Sequence, residues 1–358
     1  MTSHRGPATP EEQSGKPEGA PAQGAPTTYS WNPLLVIETG DHEMRVRRGD
    51  SVTVLKEPSG SVALSRMVEL GWLDAPAFTA NSRDMSDEME YILEGLIQND
   101  ILRPHTGLDT IPPVVAEYCA RSGYQVEEAE ATRRLHSTRL IVSGDNTSLA
   151  DLLIAELRSL GITVDTLDTF DAKEGQDFTQ MPATAAEKGQ ESVAVSVHHD
   201  ILSEASLRQN RLLVEQQFPG RILFVGGFDG KRSVIGPWVV PGSSACLRCW
   251  AYRYHANLIS VPESVRPGAP KSPWHLHHRP RAPLPAANRL ITALTSDLIA
   301  EYVTLGPHAP SSQPGTYRVI ESSRNGTVLD RHHVLRVPRC DVCSQSRTTG
   351  YPQVWHHG

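Results

Sequence analysis

The sequence has no hydrophobic run that approaches the ~18 residues of a membrane-spanning helix, and it has no excess of basic residues. Its first residues also lack the apolar segment of a secretory signal. The formal net charge is −7, from 34 Lys and Arg against 41 Asp and Glu. This balance argues against nucleic acid or an anionic membrane as the main partner. From these absences we expect a cytoplasmic protein that binds neither.

Sequence motifs of several enzyme classes are missing as well. There is no G-x-S-x-G hydrolase motif and no H-E-x-x-H metalloprotease motif. A nucleotide-binding α/β domain needs glycines where its first strand meets the next helix, so that backbone N–H groups can approach the phosphates. That turn here keeps Gly144 as its one glycine, and Asp145 would repel a phosphate. The pattern favours a chain that neither binds ATP nor catalyses a reaction.

Histidines occur in two groups that could suggest a metal site. Adjacent residues of a strand point to opposite faces, so neighbouring histidines on a strand cannot easily share a metal. The second group lies on a loop with no carboxylate close in sequence. We interpret both groups as surface or hydrogen-bonded histidines, and the lone fifth cysteine as a buried helix residue. The residues are His198, His199 and Asp200 at a strand end, His275, His277 and His278 on a loop, and Cys119.

The other four cysteines form two C-x-x-C pairs, Cys246 with Cys249 and Cys340 with Cys343. Two thiolates at this spacing can share one metal at a sharp turn, and two such turns supply the four sulfurs of a closed tetrahedral Zn²⁺ site. Disulfides and unrelated free thiols are the alternatives, and disulfides are typical of secreted chains. We predict one structural Zn²⁺ per chain, which clamps the two ends of a large domain and does no chemistry.

The local composition and the apolar patterns of the sequence predict five structural regions. Residues 1–32 are rich in Pro, Gly, Ala and Glu and are predicted to form a disordered tail. Residues 33–105 contain three short strands followed by helices, which suggests a small winged-helix-like module; its acidic residues argue against DNA binding. Residues 106–137 are predicted to be a helical connector with one helix from Val114 to Leu135. Strands alternating with helices over residues 138–350 predict an α/β domain with a mainly parallel sheet, and residues 351–358 form a second tail.

A family resemblance rests on GPWVVPGSSACLRC, from Gly236 to Cys249, and on PRCDVC, from Pro338 to Cys343. With these motifs the α/β domain resembles the ThiF/MoeB superfamily, which has the ubiquitin-activating-enzyme-like Rossmann-type fold. More narrowly, the chain resembles the ThiF-like partner proteins of azoline-forming cyclodehydratases in thiazole/oxazole-modified peptide and thiopeptide biosynthesis. In those proteins a winged-helix peptide-recognition domain precedes the ThiF-like domain. Adenylating members keep a glycine-rich ATP loop, which is degenerate here, and a magnesium-binding acid, to which only Asp200 could correspond.

The resemblance implies a non-catalytic protein that recruits a ribosomally made precursor peptide by its leader. It would deliver the peptide to a separate YcaO-type enzyme, which uses ATP to form azoline rings, and it would activate that enzyme. The fold usually forms homodimers, so we expect a homodimer. The alternative is an enzyme of the same fold that uses ATP to adenylate a peptide.

A leader peptide can bind by adding a strand to an exposed sheet edge. The predicted edge is the strand Ser51–Lys56, beside a helix that begins at the N-cap Ser86. We expect Val52 and Val54 to face the core and the alternate residues of this strand to face outward. The predicted peptide-binding residues are Arg45, Arg47, Ser51, Thr53, Leu55, Lys56, Met89 and Leu93.

Overall fold

The structure is a computed structural model that describes residues 27–40, 42–56, 61–75, 77–81, 85–105, 111–166, 191–256, 284–338 and 340–344. The chain divides into two compact units, Met1–Asp109 and Thr110–Gly358, with separate apolar cores. Among the described helices, none combines the length and apolar character that a membrane span requires. The predicted tail at residues 351–358 and the loop with His275, His277 and His278 lie outside the described residues.

The described part of the first unit contains short strands and two helices. They are β1 (Thr27–Trp31), β2 (Val36–Thr39), β3 (Glu43–Arg48), β4 (Ser51–Lys56), α1 (Ala63–Glu69), β5 (Ala77–Ala80), α2 (Asp87–Gln98) and β6 (Leu102–His105). The strands form two antiparallel sheets, with orders β5-β1-β6 and β2-β3-β4. Both helices bury an apolar face in the core of the unit. Its membership of the winged-helix class stays a prediction.

Part of the predicted N-terminal tail is a strand, whereas residues 1–26 of that tail lie outside the described residues. Thr27–Trp31 was assigned to the tail, yet it forms the central strand of the β5-β1-β6 sheet. Trp31 is buried, and its indole N–H donates to the carbonyl oxygen of Trp72 at 2.8 Å. Thr, Tyr and Trp favour strands. A single five-residue strand that follows a Pro/Gly-rich segment is too short to show a clear period of two.

The second unit is an α/β domain built on one seven-stranded sheet. The strands are β7 (Arg139–Gly144), β8 (Val164–Thr166), β9 (Ser192–His198), β10 (Arg221–Gly226), β11 (Arg232–Val239), β12 (Thr316–Ser323) and β13 (Gly326–His333). The helices are α3 (Pro113–Arg121), α4 (Glu128–Ser137), α5 (Thr147–Ser159), α6 (Glu204–Glu215), α7 (Leu247–Ala256) and α8 (Pro285–Leu305), with short 3-10 turns at Gly306–His308 and Pro310–Ser312.

The sheet of this unit has the order β13-β12-β11-β10-β9-β7-β8. Strands β8, β7, β9 and β10 run parallel, whereas β11, β12 and β13 are antiparallel to their neighbours. The sheet is therefore mixed rather than mainly parallel. Strand β9 is buried on both faces: Val193 and Val195 belong to the core under α5 and α8, and Ala194 belongs to the core that contains the cysteines. This alternation follows from the two-residue period of a strand.

The predicted connector helix is two helices that belong to the second unit. The chain turns between α3 and α4, where Gly123 and Tyr124 have φ values of 66° and 57°, a conformation that ends a helix. Helix α3 is anchored to α8, because the Tyr118 hydroxyl donates to Asp297 Oδ1 at 2.9 Å and Arg121 forms an ion pair with the same carboxylate at 2.9 Å. The apolar residues of α3 and α4 pack into the core of the second unit, so this segment is part of the domain and not a free connector.

Candidate functional site

Four buried cysteines meet where α7 begins and where the chain passes beyond β13. The Sγ–Sγ distances are 4.0 Å for Cys246 and Cys249, 3.7 Å for Cys246 and Cys340, and 3.4 Å for Cys249 and Cys343. All four sulfurs lie within 4.8 Å of one another. Disulfide sulfurs are about 2 Å apart, so these cysteines are free thiols. Tetrahedral zinc with Zn–S bonds of ~2.3 Å places its sulfurs about 3.8 Å apart, and the cluster fits such an ion.

Two of the four thiols, Cys249 and Cys343, are held toward the thiolate form that ligates metals, whereas hydrogen bonds within the cluster raise the pKa of Cys246 and the pKa of Cys340. Hydrogen bonds from Cys246 and Cys340 lower the pKa of Cys249 to about 7, and the backbone N–H of Val337 donates to its sulfur at 3.3 Å. Hydrogen bonds from Cys246 and the other two thiols also hold the pKa of Cys343 far below its usual range. Because a metal ligand must be deprotonated, Cys249 and Cys343 are ready to bind a cation, and Cys246 and Cys340 release their protons when it binds.

Asp341, which lies between Cys340 and Cys343 in sequence, fixes the second cysteine turn to two helices. Its carboxylate accepts from Arg211 on α6 at 3.0 Å, and from Arg248 at 3.3 Å and Tyr252 at 3.0 Å on α7. Helix α7 also carries Cys249. The three donors therefore set the position of one cysteine turn relative to the other, a role that sequence reasoning missed although Asp341 lies inside the motif.

We expect Asp341→Ala to weaken metal retention by about tenfold or more, as loss of groups that orient metal ligands usually does. Competition with a chromogenic chelator on the purified protein measures the change. Glu321→Ala is the matched control, because it removes an exposed carboxylate of β12 that forms an ion pair with Lys231, the residue before β11. Equal metal retention in the Asp341→Ala variant and the parent would show that this anchor is not needed.

The turn between β7 and α5 occupies the position of a phosphate-binding loop. Gly144 has a φ of 141°, and a Cβ atom there would lie 1.8 Å from the carbonyl oxygen of Val197. The glycine is therefore required by close contact with β9. Asn146 caps α5, since its Oδ1 accepts from the Leu149 N–H at 3.3 Å and from the Ser148 hydroxyl at 3.1 Å. The side chain of Asn146 thus occupies the helix N-terminus that would otherwise face a phosphate.

Asp145 adds a fixed negative charge to this turn. Its Oδ1 accepts from the His199 N–H at 2.8 Å, and its Oδ2 lies 3.3 Å from His198 Nδ1. Partial burial raises the pKa of Asp145, but the hydrogen bond and charge of His198 outweigh burial and hold that pKa below its ordinary value. The other ring nitrogen of His198 lies 2.7 Å from Ser196 Oγ and 3.0 Å from Gln209 Oε1. An ionised carboxylate is therefore held where a phosphate would bind.

The histidines and the remaining polar residues at these strand ends have structural contacts. His198 is buried and hydrogen-bonded, as the sequence suggested. Asp145, His198 and Ser196 are ordered like a hydrolase triad, but Ser196 is fully buried and its hydroxyl donates to Gln209. No substrate can reach that hydroxyl in this structure. Asp200 accepts from the Leu202 N–H at 2.9 Å, and Cys119 is buried in α3 as predicted.

In the β2-β3-β4 sheet, the side chains of β4 point to the opposite faces from those that the sequence suggested. Its register places Arg45 opposite Val54 and Arg47 opposite Val52, and opposing residues of an antiparallel pair share a face. The two valines therefore point outward with the arginines. Val52 is 56% exposed and Val54 is 44% exposed. The expectation that these valines face the core is wrong.

The other face of the same sheet meets the core. Met44 and Val46 are buried there, and the register places Leu55 and Thr53 opposite them. The sequence of β4 could not decide its orientation, because apolar residues occur at both alternate sets of positions. The two-residue turn before β4 sets the register instead, with a φ of 57° at Gly49 that favours glycine.

Strand β4 lies at the edge of its sheet among the described residues. Arg48 and Ser51 close the turn as a directly opposed pair, and the closing pair of such a hairpin exchanges hydrogen bonds. Since hydrogen-bonded and non-bonded pairs alternate, Thr53 also bonds to β3. The N–H and C=O groups of Val52 and Val54 therefore point to the open edge. This edge can accept another strand.

The other predicted peptide-binding residues divide into two groups. Ser51, Thr53 and Lys56 are exposed on β4, and Leu55 is half-buried. Met89 and Leu93 on α2 are only 2% and 3% exposed and belong to the core of the first unit. These two side chains therefore do not line a peptide groove in this structure, because α2 turns its apolar face inward.

Among known proteins, solved structures resemble this chain, whereas no family model and no curated protein sequence matches it. A solved structure of a heterocyclase in complex with substrate and cofactor aligns with a TM-score of 0.56 and 17% identity, covering 89% of this chain and 39% of that chain. The heterocyclase TruD aligns with a TM-score of 0.54 and 18% identity, covering 88% of this chain and 43% of that chain. The chain shares the fold of the matched part of these heterocyclases.

This likeness confirms, for the fold, the resemblance to ThiF-like proteins that the cysteine motifs predict. The chain spans about two fifths of the length of the two heterocyclases. The microcin C7 biosynthetic enzyme MccB, in complex with N-formylated MccA, aligns with a TM-score of 0.48 and 13% identity over 88% of this chain and 100% of that chain.

Proposed function

We propose that this protein binds the leader of a ribosomally synthesised precursor peptide and delivers it to a separate YcaO-type enzyme, which it activates. That enzyme would use ATP to form azoline rings in the peptide. The main support is the fold, which is shared with two heterocyclases over nearly the whole chain while the chain matches only about two fifths of each.

The first unit supports a peptide-binding role. Half of the large apolar side chains that are exposed in the described residues lie in this smaller unit. The open edge of β4 offers unpaired backbone groups that a leader could satisfy by pairing as a further strand. Arg45 and Arg47 of β3 lie on the outward face beside this edge. We therefore place the leader on β4, bonded to the N–H and C=O groups of Val52 and Val54.

The turn between β7 and α5 supports a role without ATP binding in this chain. Asn146 engages the first turn of α5, and Asp145 places a negative charge beside it. Both features oppose a triphosphate, because like charges repel and the backbone N–H groups at the helix end are partly engaged. The ATP of the proposed reaction would accordingly bind to the partner enzyme.

The cysteine cluster supports a structural Zn²⁺ in the second unit. Four sulfurs and no open ligand position are typical of structural zinc, whereas catalytic zinc keeps a position for water or substrate. Cys246, Cys249, Cys340 and Cys343 would hold the ion. Zinc here would stabilise the fold and would take no part in ring formation.

Reconstitution tests the proposal, using a candidate precursor peptide and a YcaO-type enzyme that are sought among the genes neighbouring the gene for this protein. Mass spectrometry should show dehydrated, ring-containing peptide only when both proteins and ATP are present. Calorimetry of this protein alone with ATP and magnesium should show no heat of binding. Micromolar ATP affinity, or peptide-dependent exchange of labelled pyrophosphate into ATP by this protein alone, would favour the adenylating enzyme instead.

A further inference from the structure

We infer that the outward face of the β2-β3-β4 sheet selects the leader sequence: it favours a peptide with an acidic residue two positions from an apolar residue. The inference rests on the proposed function, because it assumes that the leader pairs with the edge of β4. It goes beyond that function by assigning the side-chain chemistry that makes the pairing selective. Backbone pairing alone gives affinity without sequence choice.

Two rows of side chains cross this face, and they differ in charge. In the first row the register aligns Val36, Arg47 and Val52. Both valines of this row are exposed, at 48% and 56%. Arg47 has no ion-pair partner among the described residues, so the first row carries an uncompensated positive charge between two short apolar side chains.

The second row aligns Glu38, Arg45 and Val54. The positive charge of Arg45 is compensated, because Arg45 forms an ion pair with Glu43 at 2.5 Å and lies opposite Glu38. The outer end of this row is Val54, which is 44% exposed. A peptide residue beside the second row would therefore meet an apolar side chain and no free charge.

A strand added to β4 brings its own side chains into line with these rows. Its residues that face Val52 and Val54 are two positions apart, because alternate residues share a face. Arg47 lies two strands away from the added strand, about 10 Å, and the short side chain of Val52 lets the long stem of Arg47 extend across it. An acid beside Val52 can then reach the guanidinium, and an apolar residue beside Val54 packs on that valine.

Selection from a random peptide display library on the immobilised full-length protein tests the inference. The parent should enrich peptides with an acid two positions from an apolar residue. Arg47→Glu should lose that preference and enrich a basic residue at the acidic position. Arg48→Glu is the matched control, because this neighbouring arginine lies on the opposite face of β3; it should select as the parent does. For a single selected peptide, reversing the charge at the acidic position should change the affinity by about fivefold, as expected for one exposed ion pair.

The remaining outcomes separate this inference from the proposed function. If the parent and Arg47→Glu enrich the same sequences, and those peptides fail to bind Val54→Pro, the edge binds peptides but the face does not select them. That result overturns the inference alone. If the parent enriches no peptide sequence at all, the leader-binding role fails, and the inference fails with it.

Discussion

Removing the metal, or one of the sulfurs that would hold it, is expected to unfold the second unit. Structural zinc in small peptide sites contributes ~10–16 kcal/mol of apparent binding free energy, which is comparable to or larger than the ~5–15 kcal/mol stability of a typical domain. We expect the purified protein to contain about one Zn²⁺ per chain. A strong chelator, or Cys249→Ser, should lower the melting temperature sharply and reduce solubility, as metal analysis and thermal unfolding will show.

Cys119→Ala is the control for this experiment. Cys119 is as buried as the cluster cysteines, but it lies in α3 and in the core on the other face of the sheet. This variant should keep its metal and lose only about 1 kcal/mol of stability through the small cavity that it creates. A metal-free protein that melts at the same temperature as the parent would contradict the structural role of zinc.

The second large effect is expected at the edge of β4. Val54→Pro removes an N–H group that points to the open edge, and proline is tolerated at such positions because that N–H is not part of the ladder. The variant should bind a fluorescent copy of a library-selected peptide about tenfold more weakly or worse, since the lost backbone hydrogen bond leaves a peptide carbonyl unpaired. Its melting temperature should stay near that of the parent.

Two further variants make the result specific. Val54→Ile keeps the N–H group and the apolar, β-branched side chain, so it should bind the peptide nearly as the parent does. Thr53→Pro removes an N–H group that bonds to β3, so it should destabilise the first unit. Fluorescence anisotropy reports binding, and circular dichroism reports melting. If Val54→Pro binds like the parent, the leader docks elsewhere.

The sequence predicted those features that a few adjacent residues determine. Two cysteines separated by two residues suggest a metal-binding turn by themselves, so the cluster of Cys246, Cys249, Cys340 and Cys343 could be predicted although its halves are far apart. Helix α2 was predicted from the N-cap Ser86 and the apolar positions that follow it, and the Ser86 hydroxyl accepts from the Met89 N–H as expected. In both cases local chemistry is sufficient.

Features that depend on distant partners could not be predicted. The orientation of β4 depends on which of its alternate residues lie opposite the buried Met44 and Val46 of β3. The apolar Val52 and Val54 suggested that they do, but those positions face outward. The anchor at Asp341 needs Arg211, Arg248 and Tyr252, which reach it from two helices of distant sequence. The burial of Met89 and Leu93 could not be predicted for the same reason. An apolar helix face predicts that the helix packs against something, but it does not distinguish the protein core from a bound peptide.

The order in which the chain is made gives the cysteine cluster a further consequence. A growing chain presents Cys246 and Cys249 long before Cys340 and Cys343 exist, and strands β12 and β13 are made in between. Complete coordination must wait until residue 343 has been synthesised, and it then closes a long loop, for which the entropy cost grows only slowly with length. Capture of the proposed metal by all four sulfurs would therefore come late in folding of the second unit, and chains that stop before Cys340 would carry only two of the four cysteines.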